Sequence, residues 1–301
     1  MTGLVDIAGL DVNSAQRLLQ TARELRDKVQ QQGNLQVLSG RTVALLFLEP
    51  STRTRCSFEM AAVRLGAYPL VLQGGNTSAK KGETVLDTAR LLAAVGADAL
   101  VVRHGRNGTA SALQQALSIP VFNAGDGTNE HPTQALLDAL TLTDHLGDLT
   151  AKTIAIVGDV RHSRVARSNC LLLPMLGAKV VLSGPPALCP QDVDQPGVSV
   201  AAEFDDALRG ADAVMMLRIQ KERLGPGLLP DDATYVREWQ LDRARLDRHH
   251  SVRVVLHPAP MNRGVEITSD VADGPKSAVF EQMRNGVFVR MAALLLAMSS
   301  T

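Results

Sequence analysis

Cysteine is scarce in this chain: Cys56, Cys170 and Cys189 are the three among 301 residues, and they lie far apart. Their spacing fits neither a zinc site nor a redox dithiol, and such sparse use points to a reducing, cytoplasmic setting. Net charge is absent as well, because 31 Lys and Arg offset 31 Asp and Glu. Without a global positive field there is nothing to concentrate nucleic acid or an anionic membrane, so any anionic ligand must be held by local groups. Long apolar runs are missing. The most apolar stretch, 287–298, is interrupted by Arg290 and falls short of the ~18 residues that suggest a membrane span. The first ten residues include Asp6 and lack the basic start and apolar run of a secretory signal. No Gly-x-Gly-x-x-Gly follows an expected strand, no P-loop string occurs, and no His-Glu-x-x-His is present. Neither a dinucleotide cofactor, a P-loop triphosphate nor a metal is therefore indicated.

What is present describes a chain that folds. Hydrophobic residues make up 45% and charged residues 21%, ordinary values for a globular protein. The length exceeds what one core comfortably fills, which favours two domains. Apolar residues at helical spacing over 13–32, behind Ser14 as the expected N-cap region, predict an amphipathic helix. Short apolar runs at 42–48, 70–72, 99–102 and 120–123 alternate with helical patterns at 55–65, 83–94, 110–117 and 133–145. Such alternation implies a parallel sheet covered on both faces. After the break at 146–150, runs at 153–157, 179–182, 213–217 and 252–256 predict a second α/β domain. The segment 242–250, dense in Arg, Asp and His, reads as a solvated helical face. A last helix is expected over 276–299, with Pro275 near its start.

Chemistry concentrates at strand ends. The strand at 42–48 runs into Glu49-Pro50-Ser51-Thr52-Arg53-Thr54-Arg55, where a helix begins. Backbone N–H groups at a helix start are unpaired, and hydroxyls with an Arg fork add donors shaped for phosphate. Two hydroxyl–arginine steps in succession favour a phosphate cradle over a plain N-cap. Arg103 ends the strand at 99–102, and His131-Pro132-Thr133-Gln134 opens a helix after a turn-rich stretch at 125–129. Taken singly, Arg103 is as readily an ion-pair partner and His131 an ordinary helix-start residue. On one carboxyl edge of a parallel sheet, however, such groups converge where ligands of open α/β folds bind.

In order and spacing these strings resemble the aspartate/ornithine carbamoyltransferase family, and the resemblance runs over essentially the whole chain. Further landmarks are Lys80-Lys81-Gly82-Glu83-Thr84, Gly158-Asp159 with Arg164, Arg218-Ile219-Gln220, His257-Pro258-Ala259-Pro260 and Asn262-Arg263-Gly264-Val265-Glu266. The resemblance implies two parallel-sheet α/β domains, carbamoyl phosphate-binding over 1–147 and aspartate-binding over 148–280, with the active site in the cleft between them. Residues 281–301 are expected to form a C-terminal helix packing back on the first domain. Ser51, Thr52, Arg53 and Thr54 would hold the phosphate of carbamoyl phosphate, with Arg103 on the same ligand. Thr54, Arg103 and His131 would surround the carbonyl oxygen, Gln134 would hold the carbamoyl nitrogen, and the backbone at Ala259 and Pro260 would complete the pocket. Arg164 and Arg218, with Gln220 and Lys81, would bind L-aspartate, the two arginines gripping its carboxylates.

The polar, glycine-bearing stretch 74–82 matches the family's crossing loop, although it is one residue shorter than in some relatives. The match implies that Ser78 and Lys81 enter a neighbouring subunit's site and that a homotrimer with shared active sites is the working unit. No cofactor and no metal is implied, and the sequence leaves open whether regulatory chains or a dihydroorotase join the trimer. The implied reaction is carbamoyl transfer to aspartate in pyrimidine synthesis. Two alternatives stand beside it: an ornithine-specific enzyme, disfavoured because no Cys follows Cys189 and Arg218 supplies a cation, and a silent scaffold, disfavoured because Arg53, Arg103 and His131 are all present. Cys56, at a position often apolar or aromatic in relatives, is expected to pack.

Overall fold

The computed structural model describes residues 2–73, 83–219 and 231–299. They divide into two compact units, one running through Leu137 and resuming at Met283, the other spanning Asp138–Gln282. The division falls inside a helix, before the boundary expected after residue 147. The chain from Met283 onward belongs to the first unit.

The first unit contains β1 (Gly3–Leu4), α1 (Val12–Gln32), β2 (Thr42–Phe47), α2 (Thr52–Arg64), β3 (Tyr68–Gln73), α3 (Val85–Ala94), β4 (Ala99–His104), α4 (Thr109–Ala116) and β5 (Val121–Asp126). All its strand pairs are parallel, in the order β1-β5-β4-β2-β3. β2 and the body of β4 are continuous apolar runs because helices cover both faces of the sheet, whereas β5 buries Asn123 and Asp126 as well. On one face, Ala44, Leu46, Leu100 and Val102 pack with Ala89 and Leu92 of α3 and Ala110 and Leu113 of α4. α1 begins earlier than expected: Asp11, not Ser14, is the N-cap, and its carboxylate accepts the Ser14 N–H at 2.7 Å. An aspartate carboxylate is the stronger acceptor, which moves the cap to Asp11.

Helix α5 (Pro132–Leu146) follows β5 and carries the division between the units. The second unit then contains β6 (Thr153–Val157), α6 (Arg164–Met175), β7 (Lys179–Ser183), β8 (Val198–Val200), α7 (Phe204–Leu208), β9 (Ala213–Met216), α8 (Asp232–Trp239), α9 (Arg243–Arg248), β10 (Val254–Leu256) and α10 (Ser269–Ala272). Its strands are again all parallel, in the order β10-β9-β6-β7-β8. Ala155, Val157, Val214, Met216 and Val255 share a core with Phe204, Leu208, Tyr235, Trp239 and Leu246. The last helix, α11 (Val279–Met298), includes Arg290, which is 3% exposed. Its guanidinium donates to Ser57 Oγ at 2.8 Å and lies 5.1 Å from the centre of the Phe58 ring, so it braces α2.

Two further expectations change. The segment 242–250 is not a merely solvated face: Arg245 lies over Phe204 at 4.6 Å, and Arg245, Arg248 and His249 all reach Asp205. The partner is far away in sequence, so charge density alone does not reveal it. Cys56 is exposed instead of packed, because it falls on the outer side of α2 beside Arg55.

Candidate functional site

In the first sheet β2 lies between β3, which follows it, and β4, which comes later, so the chain reverses its direction of winding between β2 and β4. Ligands of open parallel sheets bind beyond the carboxyl ends of the strands at such a switch. The adjacent strands β5, β4 and β2 deliver there, in turn, the residues leading to His131, Arg103 and the Ser51 turn.

Ser51 is the N-cap of α2, extended at φ −162° and ψ 94°, and its side chain makes no capping bond to its own helix. The first N–H groups of an α-helix have no partner within it, the Ser51 side chain does not cap those of α2, and no acidic residue lies in its first turn. Thr52 and Arg53 are exposed there, and Thr54 is buried. Thr54 Oγ1 lies 3.4 Å from His131 Nε2. Arg103 is buried; its Nη1 donates to the Ala124 carbonyl at 3.0 Å, and its Nη2 lies 3.3 Å from Glu49 Oε2. Glu49 balances the buried Arg103 cation, a role its landmark position in the sequence left unassigned. His131 is buried immediately before Pro132, the first residue of α5, and its carbonyl accepts the Gln134 N–H at 2.9 Å. Arg55, by contrast, turns along α2 to Glu59 at 3.0 Å. Thr54 and His131 thus meet beside the start of α2, and Arg103, on the neighbouring strand, is held by Glu49 just before Ser51 opens that helix.

The second unit has the same construction. β6 lies between β7 and β9, and the switch between β6 and β9 places Asp159 and Arg218 beyond adjacent strand ends. Gly158 permits the close approach: at φ 127°, a Cβ there would stand 3.0 Å from the Leu217 carbonyl. Asp159 is buried and accepts from the His162 N–H at 3.2 Å and from the His162 ring at 2.8 Å. Arg164 is buried at the start of α6, whose N-cap Ser163 accepts the Ala166 N–H. Arg218 is half-buried one residue after Leu217, which donates its N–H to Val157.

The turn carrying Ala259 and Pro260 is held by a buried relay. Ala259 adopts φ 50°, a left-handed conformation uncommon outside glycine, and its N–H donates to His257 Nδ1 at 2.9 Å. That bond leaves the His257 proton on Nε2, which donates to Glu266 Oε1 at 3.1 Å. The same oxygen accepts the Asn262 N–H at 2.6 Å, and the Asn262 amide donates to the Ile219 carbonyl at 3.0 Å. The turn is therefore tied to the segment directly after Arg218. The His257 backbone N–H, in turn, donates to Gln282, and Gln282 donates to Asp138. Glu266 and Asn262 stood out in the sequence as part of one string, but only the fold shows what they hold. Burial pushes the Tyr235 hydroxyl above its ordinary range, and the nearby Glu266 and Asp159 charges add to the shift. Ser78, Lys81 and Gln220 lie outside the described residues. Among the described residues no group of His, Cys, Asp and Glu is arranged to hold a metal.

The chain matches the models of two domains. Residues 3–144 match the aspartate/ornithine carbamoyltransferase carbamoyl-P binding domain, and residues 150–297 match the Asp/Orn binding domain. It is 50% identical over 297 residues to the aspartate carbamoyltransferase catalytic subunit of Salinispora arenicola, covering 97% of this chain and 96% of that protein. To the Granulibacter bethesdensis subunit it is 53% identical over 259 residues, covering 86% and 82%. Among solved structures, aspartate transcarbamoylase from Trypanosoma cruzi in complex with N-(phosphonacetyl)-L-aspartic acid is similar at 33% identity and a TM-score of 0.88, covering 98% of this chain and 95% of that one. Ornithine carbamoyltransferase from Pyrococcus furiosus is similar at 26% identity and a TM-score of 0.88, covering 99% and 97%. With both domain models matched in order and full-length relatives at such identity, the chain belongs to the aspartate/ornithine carbamoyltransferase family.

Proposed function

We propose that this chain transfers the carbamoyl group of carbamoyl phosphate to the α-amino group of L-aspartate, giving N-carbamoyl-L-aspartate and phosphate for pyrimidine synthesis. The observation that carries this reading is the convergence of Ser51, Thr54, Arg103 and His131 at one helix start. The high identity to aspartate carbamoyltransferase catalytic subunits supports aspartate as acceptor. The amine nitrogen attacks the carbonyl carbon, the carbon–nitrogen bond forms, the bond from that carbon to the phosphate oxygen breaks, and the proton the amine gives up leaves with the phosphate. Negative charge builds first on the carbonyl oxygen and then on the departing phosphate.

In this reading Thr54, Arg103 and His131 stabilise the carbonyl oxygen, and Ser51, Thr52, Arg53 and the α2 amides stabilise the phosphate. Donors fixed before the reaction need no reorganisation as charge develops, and this is where the rate is gained. Gln134 and the Ala259-Pro260 backbone orient the carbamoyl nitrogen. Arg164 and Arg218, with Gln220, take the two carboxylates of aspartate. The working unit is a homotrimer in which Ser78 and Lys81 serve the neighbouring chain's site. The location is cytoplasmic, consistent with three free cysteines. Among the described residues, no helix is long and apolar enough to cross a membrane. A colorimetric ureido assay tests the reading: product is expected with carbamoyl phosphate and aspartate. Product with ornithine alone would assign the chain to the cationic substrate, and none with either would overturn the proposal.

A further inference from the structure

We propose that Asp126 is a positioning residue for the carbamoyl phosphate half of the site, fixing together the turn that presents His131 and the loop that follows Arg103. The inference rests on the function proposed above. Asp126 closes β5 and is 2% exposed. Its Oδ2 accepts from the Gly108 N–H at 2.7 Å and from the Asn129 side-chain amide at 3.2 Å. Its Oδ1 accepts from the Asn123 side-chain amide at 2.9 Å and from the Glu130 N–H at 3.1 Å. Gly108 ends the loop leading from Arg103 and His104 to α4, whereas Asn129 and Glu130 immediately precede His131. One carboxylate therefore collects donors from both segments that supply the site.

A carboxylate has about four acceptor positions and donates nothing when ionised, so this set uses its whole capacity. Each bond has a charged acceptor and is stronger than its neutral counterpart. Around it the backbone closes the same junction. The Asp126 N–H donates to the Glu130 carbonyl, the Gly127 N–H to the His104 carbonyl, and the Thr128 N–H to Asn107 Oδ1. The Glu130 carboxylate accepts the Ile7 N–H at 2.7 Å, which ties the turn to the segment after β1. Asp126 acts through His131, whose ring stands 3.4 Å from Thr54 Oγ1, and through the register of the loop beyond Arg103. An asparagine at 126 would keep the shape. Whichever way its amide turned, its NH2 group would face two N–H donors, and the turn would shift.

The test is steady-state kinetics on the full-length protein, with folded protein quantified by circular dichroism and melting temperature. Misplacing a reacting group by roughly 1 Å costs on the order of 100-fold in rate. The D126N variant is expected to lose about that in kcat/KM for carbamoyl phosphate, per folded molecule, with the KM for aspartate little changed. A folded D126N with wild-type kcat and carbamoyl phosphate KM, even if it melts lower, would assign Asp126 to stability alone and overturn the proposal. If D126N does not fold, N129A decides: it removes one half-buried donor and is expected to lower kcat/KM for carbamoyl phosphate in the same direction, though less. Wild-type kinetics in N129A would then count as failure. The wild-type control keeps the two readings apart, since an inactive wild-type chain would refute the proposed function and not the role of Asp126.

Discussion

Arg53 and Arg103 are both candidate phosphate contacts, yet they are built into the chain in different ways. Arg103 is buried against Glu49 and the Ala124 carbonyl, so its removal would disturb packing and chemistry together. Arg53 is exposed on the first turn of α2, whose buried residues are Thr54, Phe58, Ala61 and Ala62. Arg53→Ala is therefore the cleaner probe of function, and the melting temperature should stay near wild type. Loss of one donor to a charge that develops in the transition state commonly costs about 100- to 1000-fold in rate, and kcat should fall by that order. An unchanged kcat at saturating substrates would remove Arg53 from the mechanism. Arg218→Ala acts on the other substrate. In the proposed reading it removes a carboxylate clamp and leaves the donors around Ser51, so the KM for aspartate should rise much more than that for carbamoyl phosphate. Equal rises in both would contradict this division of labour.

The elements differ in how far the sequence discloses them. β2 and β4 are legible because burial on both faces makes their bodies apolar runs, and the chemistry at their ends is legible because it interrupts those runs. Strand β1 has two residues and β8 three, too few for any period to show, and both depend on a neighbouring strand for their hydrogen bonds. Asp126 escapes notice for another reason: its donors on 123, 129 and 130 are local and look like an ordinary solvated turn, and only the fold brings the Gly108 N–H to the same carboxylate. The charged segment leading into and through α9 shows the same effect, since Asp205 on α7 anchors Arg245, Arg248 and His249. Burial alone would raise the Asp205 carboxyl. The His249 hydrogen bond and the two guanidinium groups outweigh that and hold it below its ordinary 3.8. A carboxyl lowered in the folded state contributes stability above its unfolded value and loses it as pH falls through the folded one. Asp205→Asn should therefore speed hydrogen exchange at the α9 amides at neutral pH. The gap from wild type should close as pH falls below about 4. A gap that persists unchanged in acid would show that the charge is not what holds α9.

At the scale of the whole molecule, a chain with no net charge has to recruit local cations for two anionic substrates. In the proposed reading Arg53 and Arg103 serve the phosphate and Arg164 and Arg218 the aspartate carboxylates, and in the proposed trimer Lys81 arrives from the adjacent subunit. If that arrangement holds, Lys81→Ala and Arg103→Ala homotrimers should each be nearly inactive, because every site lacks one essential cation. Dissociating the two and reassociating them together creates interfaces at which a subunit retaining Lys81 serves a subunit retaining Arg103. In a cyclic trimer each mixed assembly contains one such interface, whichever variant is in excess. With equal input, about three quarters of the trimers are mixed and about a third of their sites are complete, so roughly a quarter of wild-type activity should return. A cis-acting Lys81 gives the opposite result: every site then carries one lesion or the other, and mixed trimers verified by native mass spectrometry would be as inactive as their parents.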